Sequence, residues 1–369
     1  MKFKDASIVA AFLIVLTLLA ACGPAETPAP LTPTQPRPTD APATAVPTTA
    51  VPPTAAPPAA EWPSARKYGA MVYDPVSEQI FLFGGAKTLY DQADIPDVWA
   101  YDPASNTWQE LGELGPELVI SAVLDSESQR VIVLGHGDTW AYDPAAGAWQ
   151  EMNPEAQPPR LWSSRMAYDA ESDRVIFFGG GTGAATSFDD TWAYDHNTDT
   201  WTEMQPAVRP PARAFHGMDY DPENDRILLW GGHTLPGVSD LRVWAYDYNS
   251  NTWTTQEAPL NAPEQRNGLG LFYHPPSGRL IVHGGLIEET GDLVEGTTWA
   301  YNVGANAWEA LAPAQSPGKR AHFPLAYAPS VGKAILFGGE LVNKNADEIS
   351  DEVWIFDPKA DEWESITKP

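Results

Sequence analysis

The side chains of this sequence that could do chemistry are arginines, histidines and tryptophans at recurring positions. Arginine stands seven residues before a tyrosine at Arg66, Arg213, Arg266 and Arg320, with a shifted copy at Arg160. A guanidinium stays charged at any physiological pH and offers a planar fork that matches a carboxylate. Two readings are open: a partial ring of forks that takes carboxylates or other anions, or arginines each paired with an acid of a neighbouring unit. His136 and His233 follow glycines, whereas His216 and His322 lie in connecting segments. His216 with His233 is the pairing to weigh for a metal, but the spacing dictates no third ligand, so neither a metal nor another cofactor is expected. Trp162 stands outside the regular tryptophan pattern and is a candidate stacking platform for a ligand or a packed loop residue.

Other chemistries are excluded or unsupported. Cys22 is the only cysteine, so a disulfide within one molecule and a cysteine-rich metal site are both impossible. A formal net charge of -27 argues against nucleic acid, and against adhesion of the folded part to anionic lipid. The acid-rich loops 286–297 and 340–352 could take calcium loosely, but they lack an ordered D-x-D-x-D-G run. No nucleophile motif, phosphate loop or zinc signature occurs, and no catalytic residue is assigned.

The elements that must position these residues repeat. Two tryptophans nine residues apart occur six times: Trp99/Trp108, Trp140/Trp149, Trp192/Trp201, Trp244/Trp253, Trp299/Trp308 and Trp354/Trp363. Two residues after each first tryptophan is Tyr101, Tyr142, Tyr194, Tyr246, Tyr301 or Phe356, followed by aspartate in all but Asn302. Upstream of each pair an apolar run ends in a glycine doublet, as in IFLFGG at Gly84-Gly85; the second unit has VIVLGHG instead. Each unit of roughly fifty residues reads as four short strands. The tryptophan and tyrosine of one strand share a face and can fill the wedge between sheets. The loop after the doublet is nearly absent in unit two (HGD, His136 to Asp138) and long at 86–97, 286–297 and 340–352, which predicts a lopsided rim with a notch over unit two.

Double glycine, aromatic-Asp and tryptophan at this spacing, six times over, resemble the kelch repeat across residues 61–369. The resemblance implies an all-β fold, a six-bladed kelch β-propeller, with the recurring arginines near the mouth of its channel. Closure is expected by face packing of blade six on blade one, with Trp62 as a seal. Kelch propellers also occur in galactose-oxidase-like copper enzymes, whose Cys–Tyr cross-link needs a second cysteine, and in sialic-acid mutarotases.

The front of the chain reads differently. Lys2 and Lys4 precede an apolar run from Ile8 to Ala21, the layout of a signal peptide over residues 1–21. Leu19-Ala20-Ala21-Cys22 resembles the lipobox of bacterial lipoproteins, which implies lipidation at Cys22 and a membrane attachment through that lipid alone. Residues 22–60 are Pro, Thr and Ala with almost no charge, and are expected to be a disordered linker. The functional expectation is an extracytoplasmic, monomeric lipoprotein whose propeller binds a protein, peptide or glycan. A carbohydrate-active enzyme of the sialic-acid-mutarotase type, or a structural envelope module, are the alternatives.

Overall fold

The computed structural model describes residues 62–88, 95–183, 186–234, 240–287, 292–294, 296–341 and 348–368. The signal-peptide, lipidation and linker readings, Cys22 included, fall outside these residues. Each of the six units is one four-stranded antiparallel sheet, its strands in chain order. In blade one they are Ala70–Asp74, Gln79–Phe83, Asp97–Asp102 and Thr107–Glu113. The inner strands of the other blades are Ser121–Asp125, Arg165–Asp169, Gly217–Asp221, Gly270–His274 and Leu325–Ala328. Together they surround a central channel, so the chain is a six-bladed β-propeller.

The turns explain the recurring aspartates. Asp74 carboxylate oxygens accept from the backbone N–H groups of Val76 (3.0 Å) and Ser77 (3.1 Å), and Asp143, Asp195 and Asp247 hold their turns in the same way. The chain then needs one residue of positive φ before the next strand, which Asn106, Asp199, Asn251 and Asn306 supply. The tyrosine of the third strand braces that residue: the Tyr101 hydroxyl donates to Asn106 at 2.7 Å and the Tyr194 hydroxyl to Asp199 at 2.9 Å.

The paired aromatics are architecture. Tyr101 faces Trp108 across the two outer strands with ring centroids 4.8 Å apart, and the same pairing recurs to Phe356–Trp363 at 4.9 Å. Six apolar clusters fill the six seams between blades. Across three seams the indole N–H of the second tryptophan donates to a threonine of the preceding blade: Trp201 to Thr139 (2.9 Å), Trp253 to Thr191 (3.0 Å) and Trp363 to Thr298 (2.8 Å). The equivalent residue in the other blades is Val98, Val243 or Val353. There Trp108 and Trp308 keep a buried N–H with no partner among the described residues, and Trp149 turns to the Glu113 carbonyl.

The ring closes as expected, by packing of faces. Met71, Leu82 and Trp108 of blade one meet Ala328, Phe337 and Val353 of blade six, with Trp62 against them. Trp62 donates to the Asp351 carbonyl at 2.8 Å and lies edge-on to Trp108 at 6.5 Å. Among the described residues no strand from the N-terminal side joins the last sheet.

Candidate functional site

The recurring arginines lie inside the blades, which differs from both sequence expectations. Arg66, Arg213, Arg266 and Arg320 are all buried, and three of them donate through Nη1 to the carbonyl of the first glycine of their own doublet: Gly84 (3.0 Å), Gly231 (2.9 Å) and Gly338 (2.8 Å). Their acid partners, Asp97, Asp240 and Glu352, belong to the same blade and not to a neighbour. Arg266 instead has the Glu264 carbonyl and the Thr297 hydroxyl, and burial pushes its guanidinium down to about 10. The arginine backbone works across the seam. The second glycine N–H of the preceding blade donates to it: Gly180 to Arg213, Gly232 to Arg266, Gly285 to Arg320 and Gly339 to Arg66, all within 2.9 Å. One residue thus latches two blades, which is why it recurs with the repeat.

Two residues past each latch the chain turns through a left-handed conformation at Tyr68, Phe215, Gly268 and His322, and at Ser163 in blade three. These residues form a belt of backbone hydrogen bonds around the end of the channel. Tyr68 N–H donates to His322, His322 to Gly268, Gly268 to Phe215 and Phe215 to Ser163, at 2.7–2.9 Å. Three side chains of the belt meet across the axis: Tyr68 lies 4.7 Å from the His322 ring and 6.2 Å from Phe215, and His322 lies 5.0 Å from Phe215. Glu340 anchors this cap through Lys67 Nζ at 2.9 Å and His322 Nδ1 at 3.4 Å. Burial opposes a charge on Glu340, but its bonds to His322 and Lys67 outweigh that and bring its carboxyl down to about 2. His322 is held neutral by burial, so Lys67 carries the positive charge of the pair.

Blade two interrupts the belt. It has Leu118 and Val119 where four blades have the latch arginine, a position that blade three fills with Leu161, and no left-handed residue there among those described. Its loop is a tight turn in which Gly135 N–H donates to the Asp138 carbonyl at 2.9 Å. Over it His136 stacks on Trp162 with ring centroids 4.4 Å apart and planes 28° from parallel. The stem of exposed Arg160 covers Gly137, where a Cβ would lie 2.4 Å from Arg160 Cγ, and Gln157 Nε2 donates to the Gly137 carbonyl at 2.7 Å. Trp162, His136 and Arg160 are therefore brought together at this rim, each at least partly open to solvent.

The remaining candidates are placed apart from it. His216 is fully buried between blades three and four, its ring 5.6 Å from Phe178 and both its nitrogens unpartnered among the described residues. Burial and the charges of Arg213 and Arg165 keep it neutral. His233 pairs through its backbone with Ala214 on the short ladder beside it.

Two groups escaped the sequence reading. Arg165 opens the inner strand of blade three, where the other blades have Ala70, Ser121, Gly217, Gly270 and Pro324, and it lines the channel. Asp219 lies between the inner strands of blades four and five and accepts the Tyr273 N–H at 2.7 Å and the Tyr220 N–H at 2.8 Å. Aligning the six inner strands position by position would have exposed both as the charged exceptions. Burial pushes the Asp219 carboxyl up to about 6, against two lowering backbone bonds. A raised folded value means that its contribution to stability is full below the unfolded carboxyl range and is lost as pH rises through about 6. Relative to Asp219→Asn, the chain should therefore lose about 2 kcal/mol between pH ~4 and pH ~6.5, read by urea unfolding at each pH. A difference that stays flat over that window would contradict the desolvated placement of the carboxyl.

A family model described as the KLHDC2/KLHL20/DRC7 Kelch-repeats domain matches residues 51–219 and 172–369. The chain belongs to the kelch-repeat family. The kelch propeller is also similar to N-acetylneuraminate epimerase of Salmonella enteritidis, 22% identical over 57% of this chain and 53% of that protein. It resembles the human Rab9 effector protein with kelch motifs, 27% identical over 35% of this chain and 34% of that one. Mei4-dependent protein 6 of Schizosaccharomyces pombe is 25% identical over 48% of this chain and 28% of its own length. The chain thus spans about half or less of these curated relatives.

Proposed function

We propose that this kelch propeller is the ligand-binding part of a lipoprotein displayed outside the cytoplasm, and that it binds a protein, peptide or glycan at the blade-two rim. The observation that carries the reading is the His136–Trp162 stack beside Arg160, at the one blade whose loop is too short to cover it. A rigid aromatic platform flanked by a cation suits a peptide or sugar face, and tryptophan and arginine anchor interfaces more often than other residues. A relative whose name states an effector role, the Rab9 effector, supports partner binding over chemistry. Attachment through Cys22 rests on the lipobox-like run before it.

Arrays of peptides and glycans probed with the purified full chain test this. Trp162→Ala should weaken capture about tenfold or more while lowering the melting temperature by no more than about 4 °C, because the ring crosses to His136 at the rim but lies outside the apolar cluster of that seam. Binding indifferent to Trp162→Ala would place the partner elsewhere on the ring. In cells, Cys22→Ser should move the protein from the membrane to the soluble fraction. The likeness to N-acetylneuraminate epimerase favours a second reading, a mutarotase or epimerase acting on an acidic sugar. Anomer exchange of N-acetylneuraminate followed by proton NMR would separate the two.

A further inference from the structure

Arg165 is a cation without a counter-ion. Its one hydrogen bond is from Nη1 to the carbonyl of its neighbour Ser164, at 3.2 Å, and no acid pairs with it among the described residues. The nearby carboxylates are taken: Asp219 by two backbone N–H groups, and Glu340 by Lys67. Arg165 is half-buried where it lines the channel, and burial is the one cause that pushes its guanidinium down to about 10. A guanidinium at that value is still charged, so it faces the channel as an unpaired cation.

The surroundings suit an anion. Arg165 sits two residues past Ser163, where the belt ends, and so just inside the aromatic cap of Tyr68, Phe215 and His322. Its field reaches both His216 and His322, and both are held neutral. The side chain of Phe178, its cross-strand partner, touches the His216 ring. Polar atoms around it are open: both His216 nitrogens, His322 Nε2 and the Ser164 hydroxyl are buried with no partner among the described residues. With Lys67 and Glu340 cancelling, Arg165 leaves one positive charge at this end of the channel, and Asp219, which also lines the channel, offsets it only above about pH 6, where its carboxyl ionises. The channel itself has a cavity of about 440 Å³, room for a small organic acid and more than enough for a halide. Arg266, a fully buried arginine that also has no carboxylate among the described residues, differs because it is walled into its blade and does not line the channel.

We propose that the propeller channel binds a small monoanion, a halide or the carboxylate of a small organic acid, against the Arg165 guanidinium beneath the belt. The site is separate from the rim and does not rest on the rim's function. The Trp162-Ser163-Ser164-Arg165 run leads from that rim to the channel, at the blade where the belt is unbridged.

Thermal unfolding of the full chain at about pH 5 and constant ionic strength tests this, with sulfate, a dianion that the single Arg165 charge does not balance, replaced stepwise by bromide in one arm and formate in another. The wild-type melting temperature should rise saturably in at least one arm, by about 3 °C at ten times the dissociation constant. Arg165→Gln should show no saturable rise, and in sulfate alone it should melt above the wild type, since it removes an uncompensated charge. The arm that saturates at lower concentration separates halide from carboxylate. Equal responses in wild type and Arg165→Gln, or no saturation in either arm, would overturn the proposal. Should Arg165→Gln fail to fold, bromide-soaked wild-type crystals decide: an anomalous peak within hydrogen-bond reach of Arg165 is expected, and its absence would refute the site.

Discussion

Arg213→Ala is expected to destabilise the chain by about 3–5 kcal/mol, the scale of breaking a buried ion pair from one side. The Arg213 guanidinium is 0% and the Asp240 carboxyl 1% exposed, with Nη2 and Oδ2 2.5 Å apart. Removing the arginine takes one of two cations from Asp240, which keeps Arg242 Nε at 2.6 Å and the Trp244 indole N–H at 2.7 Å, and it orphans the Gly231 carbonyl. Adding Asp240→Asn should restore part of the loss, because a neutral amide tolerates burial better than a carboxylate left with one half-exposed cation. Arg160→Ala should change stability by less than about 0.5 kcal/mol, since that side chain is exposed at the rim. Urea unfolding of the four chains reads the comparison. If Arg213→Ala were as mild as Arg160→Ala, the arginines would be surface forks after all.

Gly338→Ala should be comparably damaging, at about 3 kcal/mol or more. Gly338 has φ +67°, where a Cβ costs about 1–2 kcal/mol, and that Cβ would stand 2.5 Å from the Arg66 carbonyl oxygen and 2.9 Å from the Ser350 oxygen. Both contacts are backbone and lie at the seam where blade six meets blade one, so relief requires the blades to separate. Gly332→Ala is the control: its φ is +65° but nothing lies within 4 Å of where the new methyl would stand, so only the conformational term of about 1 kcal/mol remains. Equal losses in the two variants would mean that the seam yields and the close approach is unimportant.

The architecture was legible because it is repeated. The tryptophan spacing, the Tyr-Asp that follows and the glycine doublet each serve a local purpose that recurs in every blade, so periodicity exposes them. The arginines were only half legible. Their recurrence left open a partial ring for anions or pairing with a neighbouring blade's acid, whereas Arg66, Arg213 and Arg320 pair with acids of their own blades and, with Arg266, latch four of the six seams. Arg165 and Asp219 were missed for the opposite reason: each occurs once, on a strand whose neighbours are apolar or small. The rim was read more closely. A short blade-two loop and a tryptophan outside the repeat suggested Trp162, but its stacking partner His136 comes from the preceding unit and no spacing rule joins them.

Seams where valine replaces the threonine that receives an indole N–H govern how the ring fails. Trp108 at the seam of blades six and one, and Trp308 at that of blades four and five, donate to nothing among the described residues. At those two joints ionisable groups stand instead, the buried Lys67–Glu340 pair at the first and half-buried Asp219 at the second. These are therefore the joints between blades whose packing should respond to pH. Glu340 supports its joint above the ordinary carboxyl range and releases it as pH falls through about 2. Asp219 acts in the opposite sense, loosening its joint as pH rises through about 6. The two joints thus respond to pH in opposite senses, and amide exchange should speed up along the first as pH falls through about 2 and along the second as pH rises through about 6, once intrinsic exchange is divided out.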